Sequence, residues 1–180
     1  MQIIDTSIDD VKIIAPRVFG DDRGFFYESW NAQTFAALGL DLTFVQDNHS
    51  KSAKNVLRGL HYQIQKPQGK LVRVIAGSVY DVVVDLRRSS RNFGQWEGFI
   101  LSAENKRMLW VPPGFGHGFL SLEEGTEFLY RCTEFYAPEY ERSLLWNDPV
   151  LAIDWPLEGE PALSAKDAAG LPLSEAEIFS

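Results

Sequence analysis

Four side chains of this chain form a set that could move a proton next to a carbonyl group: His61, Lys70, Tyr130 and Asp167. A histidine has a pKa near neutrality and can act as a general base, and a carboxylate such as Asp167 can fix the tautomer of that base. Lys70 could stabilise the oxyanion that develops as a C–H bond breaks, and Tyr130 could return a proton to the opposite face. A base on one side and an acid on the other are the minimum that inversion of a carbon centre requires.

Each of these residues also has a purely structural interpretation. Tyr130 could be an ordinary strand aromatic, Asp167 the cap of a helix or turn, and Lys70 a solvated strand residue. The sequence does not itself bring the four side chains together. Their convergence in one pocket is therefore a prediction.

Two segments resemble the paired motifs of the cupin superfamily, in which turns between strands deliver metal ligands into a small barrel. Segment 110–117 (WVPPGFGH) contains P-x-G-x-x-H and ends at His117. In segment 59–77 His61 is present, but Gln63 stands in place of the second histidine and Lys70 in place of the glutamate. Divalent cations prefer imidazoles and carboxylates, and an ammonium group would repel them. We therefore expect no bound metal; the alternative is that the two histidines are ordinary core residues.

Short strands are the dominant local pattern after one early helix. That helix is predicted at Asn31–Leu38, because Gly39 suits a helix C-terminus. In segment 78–86 the odd-numbered residues should share one face of a strand and the even-numbered residues the other. The tail from Pro149 should be rich in loops, with a short helix from Ser174. Further strand-like runs, punctuated by glycine and proline, are Thr43–Val45, Leu71–Ile75, Gly98–Leu101, Met108–Val111 and Phe128–Cys132. Such spacing predicts an antiparallel sandwich or barrel.

The bulk composition predicts one globular domain over residues 1–180, since 45% of the residues are hydrophobic and 23% are charged. A net charge of -8 argues against nucleic acid and anionic membranes as partners. The single cysteine, Cys132, fits a reducing compartment. The sequence shows no recognisable signal peptide or membrane-spanning run, so a cytoplasmic protein is expected.

Taken together, the motifs resemble those of the dTDP-4-dehydrorhamnose 3,5-epimerase family over nearly the full length of the chain and in the same order. Any one of them is a weak signal, whereas the complete series is highly specific. The matching segments are DDRGFFYESWN (21–31), FVQDNHSKS (44–52), VLRGLHYQ (56–63), QGKLVRVIAGSVYDVVVDLR (68–87), WVPPGFGHGFL (110–120), FLYRCTEFYAPEYER (128–142), WNDP (146–149), IDWP (153–156) and LSAKD (163–167).

The resemblance implies a role for each residue of the first set. His61 matches the catalytic base of the family, Asp167 the partner of that base, and Tyr130 the proton donor. Lys70 matches the cation next to the sugar ketone. The positions that match the family's substrate contacts are Lys70 again, Arg23 and Glu28 for the nucleotide part, Arg58 for the diphosphate, and Gln46, Asp47, Asn48, His117, Glu141 and Lys166.

The resemblance further implies a mainly β fold, a cupin-type antiparallel β jelly roll with a few short peripheral helices. It implies no metal and no organic cofactor, and a homodimer with exchanged N-terminal strands, which would cover an open sheet edge. The expected reaction is epimerisation at C3 and C5 of dTDP-4-keto-6-deoxy-D-glucose to dTDP-4-keto-L-rhamnose, a step of dTDP-L-rhamnose biosynthesis.

Two pairs of residues leave alternatives open. Arg58 and His61 are three residues apart and would face opposite sides of a regular strand. Either Gly59 hosts a bulge that re-aims one of them, or the two serve different pockets. Phe26 and Tyr136 could stack on the base or the sugar, but core packing is the expected fate of each.

Three other functions fit parts of the pattern. A relative that epimerises only C3 or only C5, or that moves the ketone to C3, would share most of the site residues. A non-catalytic sugar-nucleotide binding module would not need His61, Asp167 and Tyr130 together. A metal-dependent cupin oxygenase is opposed by Gln63 and Lys70. The sequence does not fix the strictness for a thymidine nucleotide or the order of the two epimerisations.

Overall fold

Short strands build most of the molecule, and the helices are few and peripheral. The computed structural model describes residues 1–180. None of the helices combines the length and apolar character that crossing a membrane requires. The strands, β1 to β13 in chain order, are Gln2–Asp5, Lys12–Ala15, Phe19–Asp21, Gly24–Phe26, Gln46–Ser52, Leu57–Gln63, Lys70–Ala76, Ser78–Asp85, Trp96–Ser102, Met108–Val111, Phe115–Ser121, Thr126–Cys132 and Glu141–Ser143. The helices are α1 (Ala32–Ala37), α2 (Ala165–Ala168) and a 3-10 turn at Pro138–Tyr140.

Two antiparallel sheets pack against each other and enclose the main core. The six-stranded sheet has the order β1-β2-β10-β7-β12-β5, and the five-stranded sheet the order β13-β6-β11-β8-β9. The β3–β4 hairpin pairs only with itself. Apolar side chains from β7, β10 and β12 meet those from β8, β9 and β11 between the sheets. The predicted antiparallel β jelly roll is confirmed.

Strand β8 confirms the alternation predicted for segment 78–86. Val79 and Val83 lie in the core between the sheets. Val82 and Val84 lie in a second core, on the outer face of the five-stranded sheet, which residues of the C-terminal tail cover. Asp81 shares the inner face with Val79 and is fully buried. One strand thus supplies both a core and a buried carboxylate next to the site described below.

Helix α1 confirms the early helix and its ends. The side chain of Asn31 accepts hydrogen bonds from the backbone N–H groups of Gln33 and Thr34, which have no partner within the helix. Gly39 follows the helix with a φ of +84°, a conformation that glycine adopts without a steric cost. Phe35 is fully buried and packs on Trp30, with ring centroids 4.4 Å apart. The helix therefore covers part of the outer face of the six-stranded sheet.

Two local predictions are wrong. Thr43–Val45 is not a strand, and β5 begins only at Gln46. The apolar side chain that suggested a strand, Phe44, instead packs on Trp30 at 4.6 Å. No helix begins at Ser174; the backbone N–H groups of residues 175 and 176 both donate to the carbonyl of residue 172 and close a turn. The tail stays irregular because its apolar side chains pack individually into the second core.

A bulge in β6 settles the question of Arg58 and His61. In the ladder between β6 and β11, His61 pairs with His117, but Arg58 pairs with Phe119, so one strand advances three residues while the other advances two. Gly59 hosts the irregularity, with a φ of +124°. The bulge turns the side chains of Arg58 and His61 into the same cavity. The first of the two alternatives is therefore confirmed.

We expect Gly59→Ala to lower the free energy of unfolding by about 2 kcal/mol or more. An added Cβ would combine an unfavourable φ with positions 2.5 Å from the α-carbon of Gly118 and 2.8 Å from the carbonyl oxygen of His117. Gly159→Ala is the matched control, because Gly159 also has a positive φ of +81° but no atom within 4 Å. Gly159→Ala should lower the free energy of unfolding by about 1 kcal/mol, because only the conformational penalty of the positive φ applies there. Urea denaturation measures both, and equal losses would contradict the close packing at Gly59.

Candidate active site

A cavity of about 390 Å³ opens between the two sheets. Its walls come from β5, β7 and β12 on one side, β6 and β11 on the other, and from β13 and α2 at the mouth. The structure brings together in it ten of the side chains that the sequence singled out: His61, Lys70, Tyr130, Asp167, Gln46, Asn48, Arg58, His117, Glu141 and Lys166. The four residues suited to proton transfer therefore share one pocket.

The closest polar contact in the cavity joins His61 of β6 to Asp167 of α2. Nε2 of His61 lies 2.5 Å from Oδ1 of Asp167. Ser164, the N-cap of α2, donates from its hydroxyl to Oδ2 of the same carboxylate at 2.7 Å and accepts from the backbone N–H of Asp167 at 3.1 Å. The backbone N–H of Gly59 also points at Oδ1, at 3.4 Å. Both oxygens of the carboxylate are thereby fixed in orientation.

These contacts set the charge of Asp167. Burial by itself would raise the pKa of this carboxyl, but the hydrogen bonds from His61 and Ser164 outweigh it and lower the pKa to about 2. Asp167 is therefore ionised throughout the neutral range. An ionised partner at Nε2 holds the ring N–H there and leaves Nδ1 of His61 with a free lone pair.

Burial also sets the protonation states of His61 and Tyr130, which lie on opposite sheets. Burial lowers the pKa of His61 below its ordinary value, and the hydrogen bond to Asp167 opposes this only in part. Burial raises the pKa of Tyr130 on β12. Near neutral pH the histidine is therefore neutral and can accept a proton, and the tyrosine is protonated and can donate one.

Lys70 begins β7 and stands beside Cys132 in the ladder between β7 and β12. Burial lowers the pKa of Lys70, while the nearby Cys132, Asp81 and Glu141 oppose that shift. Asp81 holds the other cavity histidine, His117, whose Nε2 lies 2.9 Å and 3.1 Å from the two carboxylate oxygens. A lysine, a carboxylate and a histidine thus form a polar cluster, and Lys70 and His117 stand at two of the sequence positions that supply metal ligands in the cupin motifs.

The donors in this region are not arranged as a metal site. No group of three or more His, Cys, Asp or Glu side chains converges. His61 and His117 each face a carboxylate, and Gln63 donates to backbone carbonyls of the loops around it. Lys70 adds a cationic group rather than a ligand. The absence of a metal remains a prediction from this donor set.

Polar side chains at the mouth of the cavity are linked to one another. Nζ of Lys166 lies 2.7 Å from one oxygen of Glu141, and the hydroxyl of Tyr136 donates to the other oxygen at 2.8 Å. The backbone N–H of Tyr136 donates to the side chain of Gln46 at 2.9 Å. Deeper in, Nε of Arg58 donates to the hydroxyl of Ser52 at 3.1 Å. One cation, Lys166, thus stands at the mouth of the cavity, and another, Arg58, lies deeper in it.

The core packing expected for Phe26 and Tyr136 is wrong for both. Tyr136 is 51% exposed and lines the cavity, because its hydroxyl is held at the mouth by Glu141. Phe26 is 71% exposed at the end of the β3–β4 hairpin. Neither ring has a core to enter, since the hairpin and the mouth both lie outside the packed sheets.

Three of the residues expected to bind substrate lie outside the cavity. Asp47 points to the opposite face of β5 from Gln46 and Asn48, with one oxygen 3.6 Å from Nε of Arg131. Arg23 lies at the turn of the β3–β4 hairpin and pairs with Asp21. Glu28 accepts hydrogen bonds from residues 31 and 34 at the start of α1. Within one chain, Arg23, Glu28 and Asp47 therefore do not line the cavity that contains the other ten predicted site residues.

Sequence reasoning missed several residues that line the cavity: Ser50, Gly118, Phe119, Phe128 and Ser164. Two of them left a signal. Ser164 stands three residues before Asp167, the spacing of a side-chain cap and its N3 partner. Ser50 continues the alternation of Gln46 and Asn48 along β5. Phe119 and Phe128 stack at 4.3 Å from opposite sheets, and only the folded structure brings them together.

Comparison with known proteins gives concordant results. The family model described as dTDP-4-dehydrorhamnose 3,5-epimerase matches residues 5–175. A dTDP-4-dehydrorhamnose 3,5-epimerase of Pseudomonas aeruginosa is 60% identical over 174 residues, 96% of this chain and 96% of that protein. One from Salmonella typhimurium is 59% identical over 178 residues, 98% of this chain and 97% of that protein.

Solved structures of related epimerases also resemble this chain over nearly its full length. A Legionella pneumophila dTDP-6-deoxy-D-glucose-3,5-epimerase in complex with dTDP-4-keto-L-rhamnose superposes with a TM-score of 0.95 at 55% identity, covering 98% of this chain and 94% of that chain. A 3'-monoepimerase from Streptomyces bikiniensis in complex with dTDP-quinovose gives a TM-score of 0.89 at 35% identity, covering 94% of this chain and 87% of that chain. The fold thus occurs with both double and single epimerisation, and the identity is higher for the former.

We expect the carboxylate of Asp167 to stabilise the fold by about 2 kcal/mol at pH 6, because its pKa falls from 3.8 to about 2 on folding. A lowered folded-state pKa gives stability that is present above pH 4 and is lost as the pH falls toward 2. Asp167→Asn should therefore lower the free energy of unfolding most at pH 6 and progressively less at pH 4 and pH 3, as measured by urea denaturation. The exposed Asp154→Asn is the control and should change stability by less than about 0.5 kcal/mol. A cost for Asp167→Asn that grows on acidification would contradict this assignment.

Proposed function

The chain belongs to the dTDP-4-dehydrorhamnose 3,5-epimerase family and is an isomerase, and we propose that the side chains of the cavity between its sheets carry out the reaction. The reaction is epimerisation at C3 and C5 of dTDP-4-keto-6-deoxy-D-glucose to dTDP-4-keto-L-rhamnose. The observation that carries the assignment of roles is the His61–Asp167 pair on one wall of the cavity, opposite Tyr130 on the other.

The first step is removal of a proton from a carbon next to the ketone. The C4 carbonyl acidifies the hydrogens on C3 and C5, because the resulting carbanion is delocalised as an enolate. Neutral His61 accepts the proton at Nδ1, and Asp167 stabilises the imidazolium that forms. The short contact between these two residues prevents the ring from turning away.

Lys70 stabilises the negative charge that develops on the C4 oxygen. Its ammonium group is already in place in the folded cavity, so little reorganisation is needed during the reaction. Preorganised donors of this kind change rates by on the order of a hundredfold or more. In this role Lys70 supplies the positive charge that a metal ion would supply in a metal-dependent cupin.

Tyr130 completes the inversion by donating a proton to the face opposite His61. Its raised pKa keeps the phenol protonated until the enolate forms. After each inversion His61 carries an extra proton and Tyr130 has lost one, so exchange with solvent must reset both. The same pair then acts at the second carbon.

The binding groups in the cavity suit a nucleoside diphosphate sugar. Arg58 and Lys166 are cations that can contact the diphosphate, and arginine does so through two parallel hydrogen bonds. Lys166 is held by Glu141 in the unliganded chain. Gln46, Asn48 and His117 provide donors and acceptors for the sugar and the nucleotide.

We also propose that the protein acts as a homodimer with an exchanged N-terminal segment. Strand β1 pairs with β2, and β2 pairs with β10, within one chain, so the segment proposed to reach the cavity of the partner is the β3–β4 hairpin. The hairpin makes no sheet with its own chain, and Phe19, Phe25 and Phe26 on it are 51%, 62% and 71% exposed. Burial of such a patch favours association. The partner's Arg23 would then add a cation for the nucleotide part, together with the partner's Glu28.

The remaining parts of the proposal concern the protein as a whole. We propose a single domain that works in the cytoplasm without a metal or an organic cofactor. The chemistry above needs only a base, an acid and a fixed positive charge, and the chain supplies all three. Asp47, on the outer face of β5, has no direct contact with substrate in this proposal.

We expect the protein to place two solvent deuterons in each sugar when it is incubated with dTDP-4-keto-6-deoxyglucose in heavy water, because each inversion exchanges one carbon-bound hydrogen with solvent. Mass spectrometry of the sugar nucleotide counts the deuterons. Protein dialysed against a chelator should give the same result. A single deuteron would indicate a single-site epimerase, and none would indicate a binding module.

His61→Asn should slow this exchange by about 10²- to 10⁴-fold, the usual contribution of a general base, while dTDP binding measured by calorimetry changes little. His49→Asn is the matched control, because His49 is exposed on the outer face of β5. It should retain the exchange rate of the unmodified protein. Full exchange by His61→Asn would exclude His61 as the base.

The proposed dimer should allow two inactive variants to complement each other. Mixed dimers of His61→Asn and Arg23→Ala chains contain one site with both residues intact, because each site would combine His61 of one chain with the partner's Arg23. Refolding an equal mixture should restore about a quarter of the activity at low substrate concentration, since half of the dimers are mixed and each has one good site. Activity no higher than the average of the two variants alone would contradict a shared site.

A further inference from the structure

On the inner face of β5, the hydroxyl of Ser50 is buried without a hydrogen-bond partner. Gln46, Asn48 and Ser50 alternate toward the cavity. The amide of Gln46 donates to the side chain of Asn48 at 3.0 Å, and the next inward residue, Ser52, accepts from Arg58 at 3.1 Å. The hydroxyl oxygen of Ser50 is the one buried side-chain nitrogen or oxygen without a hydrogen-bond partner.

A buried hydroxyl without a partner destabilises the protein that contains it, because the group loses its hydrogen bonds to water on folding. Such groups are few in folded proteins, and each needs an explanation. The neighbours of Ser50 do not provide one. The residue beside it in the ladder is Phe128, whose ring stacks on Phe119 at 4.3 Å. The aromatic side chain opposite Ser50 in the ladder offers the hydroxyl neither a donor nor an acceptor.

The register of the sheet fixes where this hydroxyl lies along the cavity. Asn48 pairs with Tyr130, Ser50 with Phe128, and Ser52 with Thr126. Ser50 is therefore one side-chain repeat, about 6.6 Å, from the residue beside Tyr130. It is the same distance, on the other side, from the serine that holds Arg58. The hydroxyl lies between the proposed proton donor and the proposed diphosphate contact.

The corresponding part of a nucleoside diphosphate sugar is the ring between its reactive carbons and its anomeric carbon. The ketone is at C4, the diphosphate is on C1, and the carbons that join them on one side, C2 and C3, each carry a hydroxyl. We propose that Ser50 is a binding residue whose hydroxyl forms a hydrogen bond with a hydroxyl of the sugar ring at C2 or C3. The proposal rests on the function proposed above and adds to it a residue that recognises the sugar rather than the nucleotide.

The covered position of the oxygen is compatible with this role. A serine hydroxyl moves between three staggered positions by rotation about one bond, and in the unliganded chain no hydrogen bond holds it in any of them. A sugar hydroxyl can act as donor and as acceptor, as the serine can. The ring's apolar face could lie on the stacked phenylalanines while its hydroxyls face β5.

The test compares two ligands that differ only by the sugar. We expect Ser50→Ala to weaken binding of dTDP-glucose about three- to tenfold, the range for one neutral hydrogen bond, and to leave dTDP binding within about twofold. Isothermal titration calorimetry measures both. The thermal midpoint of the unliganded variant should be equal to or higher than that of the unmodified protein, because the change removes an unpaired buried group.

Ser52→Ala is the matched control on the same face of the same strand. Its hydroxyl is already bonded to Arg58, so this change should not weaken dTDP-glucose selectively over dTDP. The same selective loss in both variants would overturn the proposal, since the effect would then belong to the strand and not to Ser50.

Three further results would overturn the role of Ser50. Equal weakening of both ligands by Ser50→Ala would place the contact on the nucleotide or its phosphates. No weakening of either would leave no contact at all. A clearly lowered thermal midpoint would mean that the hydroxyl has a partner in the unliganded chain. None of these results depends on turnover, whereas failure of the unmodified protein to exchange deuterium would refute the proposed function by itself.

Discussion

The hydrogen bond between His61 and Asp167 joins two parts of the chain that are 106 residues apart, and most of the architecture serves to keep it in place. β6 must bulge at Gly59 to turn His61 inward, and the bulge fits only because no side chain separates Gly59 from Gly118. On the other side, α2 is just four residues long and could not hold Asp167 in isolation. The C-terminal tail anchors it by packing on the outer face of the five-stranded sheet.

The roles proposed for His61 as base and Tyr130 as acid follow from one physical effect acting on two residue types. Burial disfavours the charged form of any group. It therefore lowers the pKa of His61 and raises that of Tyr130, which leaves the histidine ready to accept a proton and the tyrosine ready to donate one. Asp167 is the exception, because its hydrogen bonds outweigh burial and keep it ionised. The jelly roll contributes the geometry, since its facing sheets place His61 and Tyr130, the proposed base and acid, on opposite walls of one cavity.

The sequence predicted those features that depend on local pattern. The alternation of β8 and the C-terminal end of α1 at Gly39 could be predicted because strand periodicity and helix termination act within a few residues. Thr43–Val45 was not, because the packing of Phe44 on Trp30 is a tertiary contact. The convergence of His61, Tyr130 and Asp167 could not be predicted from local pattern either, because spacing along the chain carries no information on distance between two sheets. Only the resemblance to a known family indicated it beforehand, and that resemblance did not reveal that Asp47 faces away from the cavity.

The net charge of the protein and the charges within its cavity have opposite signs, and they bear on different kinds of partner. A net charge of -8 argues against a polyanion as partner, yet the cavity contains the cations Arg58, Lys70 and Lys166. Within the unliganded chain Lys166 is neutralised by Glu141, whereas Lys70 is desolvated and has no ion pair of its own. A diphosphate can displace an exposed ion pair at modest cost because such pairs contribute little. In the proposed reaction an enolate, by contrast, would meet a positive charge that burial has already partly desolvated. In the proposed reaction, Lys166 at the mouth would therefore exchange one anion for another, and Lys70 would stabilise an anion that exists only during the reaction.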